Sequence, residues 1–220
     1  MSSTVSIDVK ICGLDRAEAV DAAVEGGARY TGFVFYPPSP RNLTPEAAAP
    51  LIERVPSSVI RVGLFVDPSD AKIDAVLTQT RLDLVQLHGS ETPERVAEIK
   101  SRTSLPAMKV VRLASADDLD AAHAYEGTAD RLLFDAKPPA HMKEALPGGN
   151  ALVFDWELLA GSNWPVPWML AGGLTADNIG EAVRISGARA LDVSSGVEDR
   201  PGVKNIEKIR AFLAAAAAIA

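Results

Sequence analysis

The chain has 220 residues, of which 47% are hydrophobic, and it carries a net charge of −7 at pH 7. The negative net charge and the lack of any cluster of Lys and Arg exclude nucleic acid as a partner, because a phosphate backbone requires a basic surface. No apolar run approaches the ~18 residues that span a membrane, and the first residues lack the pattern of a secretory signal. The single cysteine excludes an internal disulfide and indicates a reducing, cytoplasmic compartment.

Apolar stretches of strand length recur along the chain at a near-regular spacing and predict eight β-strands. They cover residues 5–12, 30–36, 59–66, 84–89, 107–113, 131–136, 167–173 and 190–196. The segments between them show helical periodicity. In 16–28, for example, one apolar stripe is formed by Ala19, Val20, Ala23 and Val24.

Capping residues indicate where these helices begin. Thr44 and Thr92 each precede a proline, which suits the first turn of a helix. Ser115 is followed three residues later by an acid, as in a capping box. The same capping role is predicted for four further residues, Asp15, Asp67, Thr175 and Asn205.

Strands that alternate with helices indicate parallel pairing, and eight such units close most naturally into a (β/α)₈ barrel. We therefore expect an α/β fold with one catalytic barrel domain over residues 1–220. A doubly wound open sheet is the alternative. The longest irregular segment, 136–153, is rich in Pro and Gly, and it is either a functional loop or a plain surface insertion.

In such a barrel the active site lies at the carboxyl ends of the strands. The seventh predicted strand ends at Gly172 and Gly173, and the eighth ends at Ser195 and Gly196. Small residues let backbone N–H groups approach an anion, and a helix N-terminus, predicted here at Thr175, adds partial positive charge. These turns predict a site for a phosphorylated small molecule, although glycines also serve simply in tight turns. An anionic ligand requires local positive charge in this acidic protein.

Cys12 is the last residue of the first predicted strand and is followed by Gly13. A lone cysteine is most often a small buried hydrophobe. Here Lys10 lies on the same side of the strand, where its ammonium would stabilise a thiolate and lower the pKa of the thiol. Because barrel closure makes the first and last strands neighbours, Asp192 is the predicted partner of a buried Lys10. Cys12 is thus a candidate for proton transfer.

Asp135 closes the sixth predicted strand after an apolar run. A partly desolvated carboxyl group suits a general acid, but a helix cap or an ion pair with Lys137 would also explain this residue. On the fourth strand Gln86 and His88 share one face. Each of them hydrogen-bonds either a sugar hydroxyl or simply a loop carbonyl, and both alternatives stay open.

Arg41 follows the second strand on a loop that three prolines stiffen. Its guanidinium suits bidentate capture of a carboxylate, and a solvated surface arginine is the alternative. The sequence contains no dinucleotide-binding, P-loop, zinc-protease or serine-hydrolase motif. The chain has three histidines, His88, His123 and His141. They lack metal-ligand spacing, so we expect no metal.

Taken together, these strand ends resemble those of the phosphoribosylanthranilate isomerase family. The resemblance covers nearly the whole chain, because it rests on eight motifs in the same order. They are VKICGL (9–14), GFVFYPPSPRNLTPEAA (32–48), VGLFVD (62–67), VQLHGSE (85–91), LLFDAK (132–137), FDW (154–156), LAGGLTADNI (170–179) and LDVSSGVE (191–198).

The resemblance implies an Amadori rearrangement of N-(5′-phosphoribosyl)anthranilate in tryptophan biosynthesis, without cofactor or metal. It also implies that Cys12 is the general base and Asp135 the general acid. Arg41 matches the family residue that contacts the anthranilate carboxylate, and Asp192 and His88 are expected substrate neighbours. The family's phosphate loops match Gly172, Gly173, Ser195 and Gly196.

The chain departs from the family pattern in the sixth loop. Many members have a G-G-x-G-K-T-like stretch where this chain reads GGNALV at 148–153. Ala151 restricts the backbone angles and Leu152 removes a cation, which bears on loop closure and not on the chemistry. The alternatives are another phosphosugar barrel enzyme and a non-catalytic barrel that binds a phosphorylated ligand. A monomer and a homodimer both remain possible.

Overall fold

A computed structural model describes residues 6–139 and 148–219. Eight parallel strands form a closed barrel in chain order. The first and last strands pair, with Lys10 opposite Asp192, so the barrel prediction is confirmed and the open-sheet alternative is wrong. The strands are β1 (Asp8–Cys12), β2 (Tyr30–Val34), β3 (Ile60–Phe65), β4 (Leu84–Leu87), β5 (Ala107–Leu113), β6 (Arg131–Ala136), β7 (Trp168–Leu170) and β8 (Ala190–Val193).

The predicted bounds match both ends of two of the eight strands. β5 and β6 match the predictions at both ends. β7 and β8 end earlier than the predicted segments 167–173 and 190–196, because the apolar and small residues there continue into the turns at the barrel mouth.

Seven α-helices surround the barrel in the described part of the chain. They are α1 (Ala17–Glu25), α2 (Pro45–Glu53), α3 (Asp70–Gln79), α4 (Pro93–Thr103), α5 (Ala116–Ala122), α6 (Ile179–Ser186) and α7 (Ile206–Ala217). Among the residues described between β6 and β7, which exclude 140–147, the helical element is a short 3₁₀ helix, Trp156–Leu159. Gly161, at φ 70°, and Pro165 follow it and stop a longer helix. None of the described helices is long and apolar enough to cross a membrane.

Most of the predicted capping residues begin their helices as expected. The side chains of Thr44, Thr92 and Asn205 each accept a hydrogen bond from a backbone N–H in the first helical turn. Ser115 is the N-cap of α5, and the backbone N–H of Ser115 donates a hydrogen bond to the Asp118 carboxylate at 3.1 Å. These local interactions fix the start of each helix relative to the preceding strand.

Two helices in the first half of the chain begin later than predicted. Arg16, rather than Asp15, occupies the N-cap of α1. Ser69, rather than Asp67, caps α3, and its Oγ accepts a hydrogen bond from the N–H of Lys72 at 3.3 Å.

The segment after β7 differs most from the prediction, because α6 begins at Ile179 and not after Thr175. Asn178 folds this segment into a turn. Its Oδ1 accepts a hydrogen bond from the Thr175 N–H at 2.8 Å, and its Nδ2 donates to the Gly173 carbonyl at 2.9 Å. The turn holds the loop after β7 at the barrel mouth.

Alternating side chains on the strands create an inner and an outer core. The outer core lies between the strands and the helices. The inner core fills the lower barrel with Tyr30, Val62, Leu84, Met108, Val110, Leu133, Met169 and Ala171. Above this apolar plug lie the buried polar side chains of Lys10, Gln86 and Asp192, beside a small apolar cluster of Cys12, Val34 and Leu64. The fold therefore places these three polar groups under the mouth.

A hairpin that the sequence did not predict follows the eighth strand. A 3₁₀ helix, Ser195–Val197, leads into β9 (Glu198–Arg200), which pairs antiparallel with β10 (Val203–Lys204). The hairpin returns Glu198 and Lys204 to the barrel mouth, where both side chains are buried.

Candidate active site

A single cavity at the carboxyl ends of the strands contains every site residue predicted from the sequence. It encloses about 770 Å³, including the space at its open mouth. The predicted residues that line it are Cys12, Arg41, His88, Asp135, Gly172, Gly173, Asp192, Ser195 and Gly196. The structure therefore brings together groups that lie up to 184 residues apart, from position 12 to position 196.

The base of the cavity next to β1 carries a thiol and an ammonium. The Lys10 ammonium is fully buried and donates to Asp192 Oδ1 at 2.8 Å, as predicted. A Cβ on Gly32 would lie 3.0 Å from both Cys12 Sγ and Lys10 Nζ. Glycine on β2 thus provides the space in which these two groups lie side by side.

The pKa of Cys12 differs from the sequence-based expectation. Burial raises the pKa of the thiol, Lys10 lowers it, and Asp192 raises it again, so that the pKa lies above its ordinary value. The expected net lowering by Lys10 is therefore wrong, because desolvation outweighs one nearby ammonium. Burial lowers the pKa of Lys10, but Asp192 and Cys12 raise it above its ordinary value, so Lys10 stays charged.

Asp135 lies on the opposite side of the cavity beside His88. Its Oδ1 accepts a hydrogen bond from the Ala136 N–H at 2.8 Å. Its Oδ2 lies 3.3 Å from His88 Nε2, although this contact lacks hydrogen-bond geometry. Lys137 pairs with Asp118 at 2.5 Å instead, so an ion pair between Lys137 and Asp135 does not explain the aspartate.

Arg41 is buried at the side of the cavity, so the alternative of a solvated surface arginine is wrong. Its Nε and Nη2 donate to the two carboxylate oxygens of Glu198 at 2.7 and 2.8 Å. Gly13, at φ 76°, makes room for this side chain, since a Cβ there would lie 2.7 Å from Arg41 Cδ. The bidentate edge of the guanidinium thus binds Glu198, and Nη2 also donates to the Gly149 carbonyl at 3.4 Å. Nη1 lies beside Gly149 and makes no hydrogen bond within residues 6–139 and 148–219.

Glu198 and Lys204 are site residues that the sequence analysis missed. Lys204 Nζ lies 2.5 Å from Glu198 Oε1 and donates to the Ser194 carbonyl at 3.0 Å. Burial raises the pKa of Glu198, but Arg41 and Lys204 lower it below its ordinary value. Arg41 and Lys204 therefore face one carboxylate. The two cations together supply local positive charge in an acidic protein. Glu198 lies in the motif LDVSSGVE (191–198). Lys204 follows Pro201 and Gly202, a pattern that is typical of a surface turn.

Three glycines in the turns after β7 and β8 stand where there is no room for a side chain. Gly172 and Gly173 adopt φ of 88° and 62°, a region that favours glycine. A Cβ on Gly196 would collide with the Leu174 carbonyl oxygen. Ser195 and Gly196 begin the 3₁₀ helix, so their backbone N–H groups lie at its N-terminal end. This end of the cavity can hold a small anion.

Titratable groups in the described ranges do not form a metal site. No group of three or more His, Cys, Asp or Glu side chains is placed there to hold a metal ion. His123 is exposed and stacks on Trp164, with ring centroids 4.5 Å apart, whereas His141 lies outside the described residues.

Comparison with known sequences identifies the family. The family profile described as N-(5'phosphoribosyl)anthranilate (PRA) isomerase matches residues 9–215. The chain belongs to this family. A Paramagnetospirillum magneticum protein named N-(5'-phosphoribosyl)anthranilate isomerase is 61% identical over 210 residues, which cover 96% of this chain and 97% of that protein.

Solved PRA isomerases share the fold. The Thermotoga maritima phosphoribosyl anthranilate isomerase has a TM-score of 0.84 and 36% identity, covering 96% of this chain and 98% of its own. A second structure is a complex with reduced 1-(o-carboxyphenylamino)-1-deoxyribulose 5-phosphate; it has a TM-score of 0.80 and 34% identity over 96% of this chain and 98% of its own.

The sixth loop of this PRA isomerase family member is only partly described. Residues 140–147 of the predicted segment 136–153 lie outside the described residues. Residues 148–152 line the cavity, so the described end of the loop belongs to the site and is not a plain surface insertion. Ala151 adopts φ 56°, the left-handed conformation that the family's glycine would favour.

We expect the substitution Ala151→Gly to raise the melting temperature by about 1–3 °C. Alanine in the left-handed region costs about 1–2 kcal/mol, which exceeds the ~0.4–1 kcal/mol that glycine loses through the unfolded chain. Differential scanning calorimetry measures the change. Ala151→Val is the control, because a β-branched residue strains this conformation further and lowers the melting temperature. The reverse order of the two variants would contradict the assigned backbone strain.

Proposed function

We propose that this chain converts N-(5′-phosphoribosyl)anthranilate to 1-(2-carboxyphenylamino)-1-deoxyribulose 5-phosphate in tryptophan biosynthesis, with residues 1–220 as one catalytic barrel domain. One observation carries the proposal. A thiol beside an ammonium and a carboxyl group beside an imidazole line the same cavity, between an arginine and two glycine-rich turns. Proton donor, proton acceptor and anion sites are what an Amadori rearrangement of this substrate needs.

Ring opening is the first step. Asp135, in its protonated form, gives its proton to the furanose ring oxygen while the lone pair of the anthranilate nitrogen breaks the C1′–O bond, giving an iminium. Its position at the end of β6 places the carboxyl in the cavity, with Oδ1 held by the Ala136 N–H. The His88 imidazole lies beside the other oxygen, with Nε2 at 3.3 Å.

Proton abstraction is the second step. Cys12, as the thiolate, removes the proton from C2′, and the electron pair neutralises the iminium to give an enolamine. The enolamine becomes the ketone as its hydroxyl loses a proton and C1′ gains one. Lys10 stabilises the thiolate through its charge, and Asp192 fixes Lys10 at 2.8 Å.

The anionic ends of the substrate bind at opposite ends of the cavity. The phosphate lies at the turns after β7 and β8, on Gly172, Gly173, Ser195 and Gly196. The anthranilate carboxylate contacts Nη1 of Arg41. Glu198 fixes the orientation of the guanidinium through Nε and Nη2. Asp192 and His88 line the space between and adjoin the ribose.

The reduced product analogue, reduced 1-(o-carboxyphenylamino)-1-deoxyribulose 5-phosphate, carries both a phosphate and a carboxylate. We expect Arg41→Ala to weaken binding of this analogue by about 10- to 100-fold, because a charge-assisted hydrogen bond to the carboxylate is lost. Isothermal titration calorimetry measures this affinity, and inorganic phosphate, which lacks the carboxylate, should bind as in the wild type. Arg54→Ala is the matched control, since Arg54 pairs with Asp21 on the exposed surface. An equal loss of affinity for inorganic phosphate would refute the assignment.

The direct test of the proposed function is a turnover assay. The pure protein is mixed with phosphoribosylanthranilate, without added metal or cofactor, and the loss of anthranilate fluorescence is followed. We expect a fluorescence decay that scales with protein concentration. A decay no faster than that of the substrate alone would exclude this activity.

The reaction takes place in the cytoplasm, with a small phosphorylated molecule as the ligand and a monomer or homodimer as the assembly. A catalytic thiolate supports this location, because a reducing compartment keeps a lone cysteine free. Light scattering during gel filtration distinguishes the monomer from the homodimer.

A further inference from the structure

Gln86 lies at the centre of the barrel mouth. On β4 it is in register with Leu64 on one side and with Met108, a member of the inner core, on the other. Its side chain lines the cavity, yet the residue is 0% exposed. His88, two residues later, lies on the same face and contacts Asp135. Gln86 is thus buried directly below the groups that act on the sugar.

The amide of Gln86 has no partner within residues 6–139 and 148–219. Neither its Oε1 nor its Nε2 makes a hydrogen bond there. Two other polar side chains buried on the barrel strands are paired, since Lys10 binds Asp192 and Lys109 binds Glu91. Leaving a buried donor and acceptor unpaired destabilises a folded protein, so native structures rarely keep such a group without a functional reason.

We propose that Gln86 is a substrate-binding residue that hydrogen-bonds a ribose hydroxyl of the substrate. The proposal rests on the proposed function. Of the two alternatives left open by the sequence, a loop carbonyl is not its partner among the described residues. A primary amide offers both a donor and an acceptor, which matches a hydroxyl better than a phosphate or a carboxylate. The cavity already provides separate partners for those anions at its two ends.

The test replaces Gln86 with methionine, which has a similar volume and no hydrogen-bonding amide. We expect kcat/KM and the affinity for the reduced product analogue to fall by about 10- to 100-fold, because the bound hydroxyl loses its partner. Affinity for inorganic phosphate should not change. The melting temperature of the free protein should rise by about 2–8 °C, because an unpaired buried amide has been removed. A residue with a purely structural role would instead lower it.

Leu84→Met is the matched control, since Leu84 lies on the same strand and face and belongs to the inner core below the cavity. It should change neither kcat/KM nor the affinity for the analogue. Gln86→Leu repeats the test with a different side chain. The inference is overturned if Gln86→Met keeps wild-type kcat/KM, or if both Gln86 variants lower the melting temperature. Wild-type turnover, measured first, shows separately whether the proposed function holds.

Discussion

Replacing Cys12 with alanine should lower kcat by about 10²- to 10⁴-fold, the usual contribution of a general base. The variant keeps Lys10, Asp192 and both anion sites, so the reduced product analogue should bind within a few-fold of the wild-type affinity. The fluorescence assay measures kcat, and calorimetry measures binding. Loss of turnover with intact binding distinguishes an enzyme from a barrel that only binds a phosphorylated ligand.

Cys12→Ser is the matched control, because a hydroxyl of similar size is far less acidic than a thiol. It should be about as inactive as Cys12→Ala while folding normally. Near-normal turnover in either variant would rule out the thiolate mechanism.

The pH profile is a further consequence of the same assignment. Burial raises the pKa of the Cys12 thiol above its ordinary value, and Lys10 lowers it by a smaller amount. In the proposed mechanism the thiolate is the reactive form, so kcat/KM should rise with pH through this titration. Lys10→Met should move the rise to higher pH. A rising limb that stays in place in Lys10→Met would mean that another group titrates.

The architecture could be predicted because its signals are local. The strands repeat as apolar runs, and caps such as Thr44, Thr92 and Asn205 use side chains that bond within one helical turn. The strand ends were harder to place, because glycines that line a cavity resemble the end of a buried strand. The start of α6 depends on how Asn178 bonds Thr175 and Gly173, which the helical pattern does not contain.

The chemistry of the site could be predicted only in part. Strand-end position and the family resemblance located Cys12 and Asp135 in one cavity. Glu198, which holds Arg41, lies 157 residues further along the chain, so no local pattern predicts the pair. The pKa of Cys12 also depends on burial, and the sequence shows the nearby Lys10 but not the degree of desolvation. Local sequence thus indicates which groups are present more reliably than how they are ionised.

Asp135→Asn should lower kcat by about 10²- to 10⁴-fold, because an amide cannot deliver the proton that the ring oxygen needs. The change keeps the shape of the side chain and its hydrogen bond from the Ala136 N–H, so affinity for the reduced product analogue should stay within a few-fold of wild type. Rapid-mixing fluorescence measures the chemical step and calorimetry measures the affinity. Asp118→Asn is the matched control; Asp118 pairs with Lys137 outside the cavity, so this variant should turn over normally. Wild-type turnover by Asp135→Asn would transfer the acid role to another group, whereas an equal loss of turnover and affinity would make Asp135 a binding residue.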